Sequence, residues 1–303
     1  MPENWTKVRQ PLPAWIKKTA GEYAATQGIR EQVRDKGIWT VCTEANCPNL
    51  SECWASKHCT FLILGNECTR WCGYCSVPKA LRPTMQDFSR EQAQVVGSIQ
   101  ELDARYVVLT SPNRDDLPLG GAEAWADQIA AIHAGCPETM IEVLIPDFDF
   151  DPAAWDRIIE SGITVLGHNV EAVPEMFPTV RPHGDFHKAL EALTAAKSRH
   201  PGQVTKTALI CGLGETRLQL ERAIGLIAEA EVDILVLGQY LRPTAKQLPV
   251  SRFLPPEEFE QLRLLALDLK IRTIVAGPFV RSSYKAQEAY EAARSAGPRA
   301  GIS

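Results

Sequence analysis

The chain has 303 residues, 45% hydrophobic and 23% charged, with a formal net charge of −5. That composition belongs to globular proteins and excludes collagen-like, disordered and coiled-coil chains. No apolar run approaches the roughly 18 residues of a membrane span, and the acidic balance argues against nucleic acid as a partner, because phosphate binding rests on Lys and Arg. Up to Thr40 there are seven Lys or Arg against four Asp or Glu, which reads as an appended basic arm. Met1 to Tyr23 interleave Pro, Trp and charge rather than the apolar core of a secretory signal, so a cytoplasmic location is expected. Blocks rich in Val, Ile and Leu then recur at 61–64, 106–109, 140–145, 163–166, 204–210, 234–237 and 271–275 and read as buried strands. Between them, 90–102, 122–133, 152–160, 186–198, 217–230 and 256–269 have helical periodicity.

Such alternation predicts an α/β fold of parallel strands, and its length favours a partial (β/α)6 TIM-type barrel with N-terminal and C-terminal extensions. The expected division is 1–59 as an amino-terminal extension, 60–276 as the barrel and 277–303 as a carboxy-terminal extension. In this architecture chemistry sits at the carboxyl ends of strands. The residues there are polar and particular: Gly65-Asn66-Glu67-Cys68, Thr110-Ser111, Pro146-Asp147, His168-Asn169, Gly212-Leu213-Gly214-Glu215 and Gln239-Tyr240.

Seven of the nine cysteines fall between Cys42 and Cys75. In a reducing compartment grouped thiols bind metal or do redox chemistry more often than they form structural disulfides. Cys68, Cys72 and Cys75 are spaced C-x3-C-x2-C directly after the first predicted strand. Three thiolates on a four-iron cluster leave one iron open to an exogenous ligand; the alternative is structural zinc, which wants four ligands in paired C-x2-C halves. Cys42, Cys47 and Cys53, spaced C-x4-C-x5-C, form a second triplet.

The C-x3-C-x2-C loop, with the aromatic Tyr74 before its last Cys, resembles the radical S-adenosylmethionine (SAM) superfamily. The upstream triplet, with Glu44-Ala45-Asn46-Cys47-Pro48-Asn49, resembles the lipoyl synthase family more specifically. Further matches run along the chain: Thr110-Ser111 with Arg114-Asp115-Asp116-Leu117, His168-Asn169-Val170-Glu171, Val180-Arg181-Pro182, Gly212-Leu213-Gly214-Glu215-Thr216, Gly238-Gln239-Tyr240-Leu241 and Gly277-Pro278-Phe279-Val280-Arg281-Ser282-Ser283-Tyr284.

The resemblance implies a sulfurtransferase that inserts sulfur at C6 and C8 of a protein-bound octanoyl-lysine, consuming two SAM molecules per lipoyl group. It implies two [4Fe-4S] clusters. Cys68, Cys72 and Cys75 would hold the one that cleaves SAM; Cys42, Cys47, Cys53 and Ser283 would hold an auxiliary one that gives up its sulfur. Read without the family, Ser283 is a helix N-cap before a helical stretch at 285–293. SAM contacts are expected at Tyr74, at Thr110 and Ser111 (amino group), at Asn169 and Glu171 (ribose hydroxyls or amino group), at Arg181 (carboxylate), and at Gly212 and Glu215. The last two lie in a G-x-I-x-G-x-x-E pattern whose first Gly is Ala208 here. Implied partners are an octanoylated lipoyl carrier protein, of the H protein or E2 lipoyl domain type, a ferredoxin or flavodoxin reductant, and an iron–sulfur carrier that rebuilds the consumed cluster.

Lys7, Arg9, Lys17 and Lys18 of the arm are candidates for steering an acidic carrier. Cys59, Cys136 and Cys211 read as buried small hydrophobes, Trp15, Trp39 and Trp54 as packing anchors, and the six histidines show no metal-ligand spacing. Competing readings are a methylthiotransferase acting on RNA or protein, a two-cluster electron carrier and a zinc-binding interaction protein.

Overall fold

In a computed structural model of the chain, the described residues are 11–16, 37, 39–44, 47, 49–55, 58–85 and 87–296. Lys7, Arg9, Lys17 and Lys18 lie outside them, as does the side chain of Trp54. They fall into two compact units, one within 18–71 and 75–168, the other comprising 72–74, the residues from 169 onward and those described before 17.

The first unit runs α1 (Val41–Glu44), α2 (Leu50–Ala55), β1 (Cys59–Leu62), α3 (Phe88–Leu102), β2 (Tyr106–Thr110), α4 (Ala122–Gly135), β3 (Met140–Leu144), α5 (Pro152–Ile159) and β4 (Val165–Gly167). Its strands pair in parallel, and the register sets Phe61 beside Leu109, Leu109 beside Val143 and Val143 beside Leu166, all buried. Strands apolar on both faces suit a parallel sheet covered by helices, and Trp125 of α4 and Trp155 of α5 are fully buried. Helix starts are written in short acids: Asp87 accepts from the Arg90 amide, and Asp151 accepts from the Ala153 amide with Pro152 opening the helix.

The second unit continues with α6 (Phe177–Val180), α7 (Phe186–Arg199), β5 (Val204–Cys211), α8 (Arg217–Glu229), β6 (Ile234–Gln239), α9 (Pro256–Asp268), β7 (Thr273–Gly277) and α10 (Ala286–Ser295). Leu209, Leu237 and Ala276 stand in register across its three parallel strands. Thr216 and Gln219 form a reciprocal capping box on α8. Just before β6, Asp233 is fully buried and accepts from the Thr205 amide (2.9 Å), Lys197 Nζ (2.8 Å) and Arg272 Nη1 (3.2 Å). It braces the amino ends of the strands, where a barrel keeps its stability rather than its chemistry. Strand order follows the chain from β1 to β7.

All seven strand blocks are strands, with ends displaced by a residue or two. β1 stops at Leu62 because Leu64 (φ 63°) and Gly65 (φ 83°) turn left-handed, and β7 starts late because Lys270 (φ 67°) does the same before it. Three expectations are corrected. Trp15 and Trp39 are exposed rather than packed, at 42% and 39%. Cys136 is half-buried because it ends α4, its amide bonded to the Ile132 carbonyl, whereas Cys59 and Cys211 are buried as expected. Ser283 is no helix cap: the N-cap of α10 is Lys285, left-handed at φ 51°, without a side-chain capping bond.

Candidate functional site

The first cysteine triplet grows out of a short local scaffold. Thr40 bridges to Phe61 of β1, and its hydroxyl accepts from the Thr43 amide to start α1, which carries Cys42. The Cys47 amide returns to the Cys42 carbonyl (2.9 Å), and the Cys53 amide, in α2, to that of Asn49 (2.9 Å). A side-chain hydrogen bond with Cys47, together with burial, pushes the Cys42 thiol well above its ordinary value, and burial pushes Cys59 up to about 12. A thiol kept neutral in this way ligates a metal only by releasing its proton to solvent or a base. The Ser76 hydroxyl donates to the Glu44 carbonyl (2.9 Å), tying this segment to the loop that follows β1.

That loop is held by charge. The Glu91 carboxylate, from the first turn of α3, accepts from the amides of Leu64 (2.7 Å) and Gly65 (3.0 Å). Arg114, buried at 1% exposure, donates to the Leu64 carbonyl (2.7 Å) and pairs through both edges with Asp116 (2.8 Å each). The strained left-handed Leu64 is thus fixed from two sides. Past the turn, the Thr69 amide donates to the Asn113 carbonyl (3.0 Å), and Arg70 forks onto Asp115 (2.7 Å from Nη2) and reaches the buried Asp147 (3.5 Å). The Cys68 amide and carbonyl pair with Pro78 and Ala80, closing the loop beyond Cys75. Cys75 is raised by burial, an effect opposed by Lys79. None of the nine cysteines forms a disulfide.

In the same unit the Thr110 hydroxyl donates to the Leu144 carbonyl (2.8 Å). Ser111 donates to the Pro112 carbonyl (2.9 Å) and accepts from Trp125 (3.1 Å). His168, at the end of β4, is fixed through Nδ1 to the Ile145 carbonyl (2.9 Å) and packs on Trp155.

The second unit holds Cys72, Gly73 and Tyr74. The Gly73 amide donates to Val180 (2.9 Å) and its carbonyl accepts from Leu248 (2.9 Å), an approach so close that a Cβ would stand 2.7 Å from the Leu248 side chain. Glu171 is left-handed at φ 66°, with its backbone bonded to Ala208 and Ile210 of β5. Desolvation pushes its carboxyl above the usual range, while Arg181, Asn169 and Tyr74 favour the charged form. Asn169 Nδ2 donates to Glu171 (3.2 Å), and Arg181 Nη1 to the Asn169 carbonyl (2.7 Å). Tyr74, Asn169, Glu171 and Arg181 therefore make one connected polar group.

Gly212 and Glu215 serve their own turn. The buried Glu215 carboxylate accepts from the amides of Gly212 and Leu213 (2.9 Å for the latter), and a Cβ on Gly212 (φ 98°) would stand 2.4 Å from the Arg252 carbonyl. After β7, the Tyr284 amide closes on the Arg281 carbonyl (2.9 Å) in a turn containing the half-buried Ser283. The Val280 carbonyl there lies where a Gly238 Cβ would be, at 2.3 Å.

Sequence reading missed Glu91, Arg70 and Lys79 as parts of this site, and gave Asp147 as a strand-end residue without its partner Arg70. Arg70 lies inside the triplet and offered a signal; Glu91 and Asp147 act from 26 and 77 residues away. As a donor set, cysteine thiols beside a buried cation fit an anionic iron–sulfur group: Lys79 Nζ is shut off from solvent with no hydrogen-bond partner among the described residues. No three His, Cys, Asp or Glu groups among the described residues converge as ligands of one metal ion.

The model of the radical SAM superfamily matches residues 62–227. Lipoyl synthase of Halorhodospira halophila is 44% identical over 285 residues, covering 94% of this chain and 85% of its own. That of Rubrobacter xylanophilus is 40% identical over 294 residues (97% and 91%), and that of Mycobacterium tuberculosis 43% over 282 (93% and 89%). Among solved structures, HydG, a maturase of the [FeFe]-hydrogenase, is similar with a TM-score of 0.55 at 12% identity, covering 89% of this chain and 71% of that one. Methylornithine synthase gives 0.50 at 13% identity (86% and 79%). The structural likenesses show the fold, an α/β partial barrel of TIM type. The sequence relatives show more: the chain is an enzyme of the radical SAM superfamily and belongs to the lipoyl synthase family.

Proposed function

We propose that the chain inserts two sulfur atoms, at C6 and C8, into an octanoyl group amide-linked to a lysine of a carrier protein of the H protein or E2 lipoyl domain type. The observation that supports this most directly is the presence of two cysteine triplets, none of them in disulfides, in a chain so similar to lipoyl synthases over 94% of its length. Cys68, Cys72 and Cys75 would hold a [4Fe-4S] cluster with one iron left open. Such a cluster, reduced by a ferredoxin or flavodoxin, supplies the electron that cleaves SAM to a carbon radical able to take hydrogen from an unactivated C–H bond. Two SAM molecules are used, one for each carbon. A second cluster on Cys42, Cys47, Cys53 and Ser283 is a substrate that yields both sulfurs and is replaced by an iron–sulfur carrier. Ser283 is suited to this role because a hard oxygen on soft iron is the weakest of the four ligands.

The chain's own residues orient and desolvate. Glu91 and Arg114 hold the turn from which Cys68 departs, and Arg70 holds its interior. Tyr74, Asn169, Glu171 and Arg181 offer a connected set of donors and acceptors for the polar groups of SAM, in which Arg181 would donate to the carboxylate. Thr110 and Ser111 keep oxygen lone pairs for its ammonium. Gly212 and Glu215 shape the turn beside β5. The expected division into 1–59, 60–276 and 277–303 then separates sulfur supply, radical generation and the serine ligand.

The test is anaerobic incubation with an octanoyl-lysyl peptide, SAM and reductant, read by mass. The parent chain gains two sulfurs and forms 5′-deoxyadenosine. Replacing Cys42, Cys47 and Cys53 by Ala abolishes sulfur gain and keeps SAM cleavage, whereas Cys68→Ala abolishes both. Sulfur gain by the triple variant would refute the assignment.

A further inference from the structure

Lys79 is not part of any motif, yet it lies just behind the second triplet. The Cys68 amide donates to the Pro78 carbonyl (2.8 Å) and the Ala80 amide to the Cys68 carbonyl (3.0 Å), so Cys68 and Lys79 face each other as a parallel bridge. Backbone pairing thus fixes where the lysine stem leaves the chain. Its Nζ is shut off from solvent without a hydrogen-bond partner among the described residues. A buried ammonium is costly unless an anion answers it. Residues paired in a parallel bridge send their side chains to the same face, so the lysine stem and the Cys68 thiol leave the loop on one side. An anion is therefore wanted where the proposed cluster would sit.

We propose that Lys79 is the charge partner of the cluster on Cys68, Cys72 and Cys75, raising the potential at which that cluster takes up its electron. This rests on the cluster assignment above. A nearby positive charge stabilises the reduced state, which carries one more negative charge, over the oxidised one. At an effective dielectric near 20, a unit charge several ångströms away is worth a roughly tenfold or larger change in that balance. The electron comes from the external one-electron donor and no proton moves. Lys79 acts through its charge on the cluster and is a positioning residue.

The experiment is an EPR-monitored redox titration of anaerobically purified parent, Lys79→Met, Lys79→Gln and Lys79→Arg, following the reduced-cluster signal that changes when SAM is added. That change marks the cluster with an open iron and sets aside the auxiliary one. Both neutral variants should show a more negative midpoint, with the reduced-to-oxidised ratio at fixed potential falling about tenfold, about 59 mV for one electron; Lys79→Arg should stay near the parent. Loss of the signal from both neutral variants with retention in Lys79→Arg also supports the charge pairing. An unchanged midpoint in either neutral variant, or loss of the signal from all three variants, overturns it in favour of a loop-closing role. A parent without a SAM-responsive signal would instead refute the cluster assignment itself.

Discussion

Each unit fixes a strand end with a carboxylate that accepts from two amides, Glu91 in the first and Glu215 in the second, and the two differ in what surrounds it. In the first, the turn after β1 is set by ionised side chains from distant segments: Glu91 on two amides, Arg114 on a carbonyl and Asp116, Arg70 on Asp115 and Asp147. In the second, backbones also close in, and the sequence leaves out a side chain where they meet, as at Gly212 and Gly238. The difference follows from what each turn must do. A loop offering thiols to an anionic group benefits from fixed charge around it, and buried ionic groups fix geometry once all their bonds are satisfied. Where a carbonyl comes within contact of a neighbouring Cα, as at Gly212 and Gly238, the turn needs room, which glycine supplies.

The contrast is open to test. Arg114→Met leaves the Leu64 carbonyl without its donor and Asp116 without its partner, and should have the largest effect, about 3 kcal/mol of stability, the upper end for hydrogen bonds to a charged group. An anaerobic thermal melt measures it, and SAM cleavage should fall with it. If the loss is below about 1 kcal/mol, charge does not hold the first unit's turn. Gly238→Ala sets a Cβ against the Val280 carbonyl and should cost about 1–3 kcal/mol. Because the displaced segment carries Ser283, sulfur gain should suffer more than 5′-deoxyadenosine formation; equal losses in both would dissociate Gly238 from the serine turn. Thr216→Ala removes only the capping box of α8 and should cost about 1 kcal/mol with both reactions unchanged, which makes it the control for the other two.

Much of this was legible in the sequence. The seven strands and the six helices between them follow from apolar blocks and helical periodicity, and Asp87, Asp151, Asp185 and Thr216 cap four of those helices because a short oxygen side chain reaches the first amides. The two cysteine triplets were visible as spacing. What spacing left open was the partner of each charge. Glu91 reads as an ordinary first-turn acid, and only the return of α3 to the end of β1 makes it a clamp for Leu64. Ser283 shows the converse: residue type and position suit an N-cap, but Lys285 takes the left-handed corner and begins α10 in its place.

The sequence by itself determined the alternation of strand and helix, the chemistry of the thiols and the family, because periodicity, residue type and spacing are local properties that survive without coordinates. Only the tertiary structure decided that Arg114 faces Asp116 and the Leu64 carbonyl, that Glu215 spends its carboxylate on its own turn, and that Lys79 pairs with Cys68 and has a buried ammonium. Those are matters of which groups lose water together, and that depends on contacts between residues far apart in the chain.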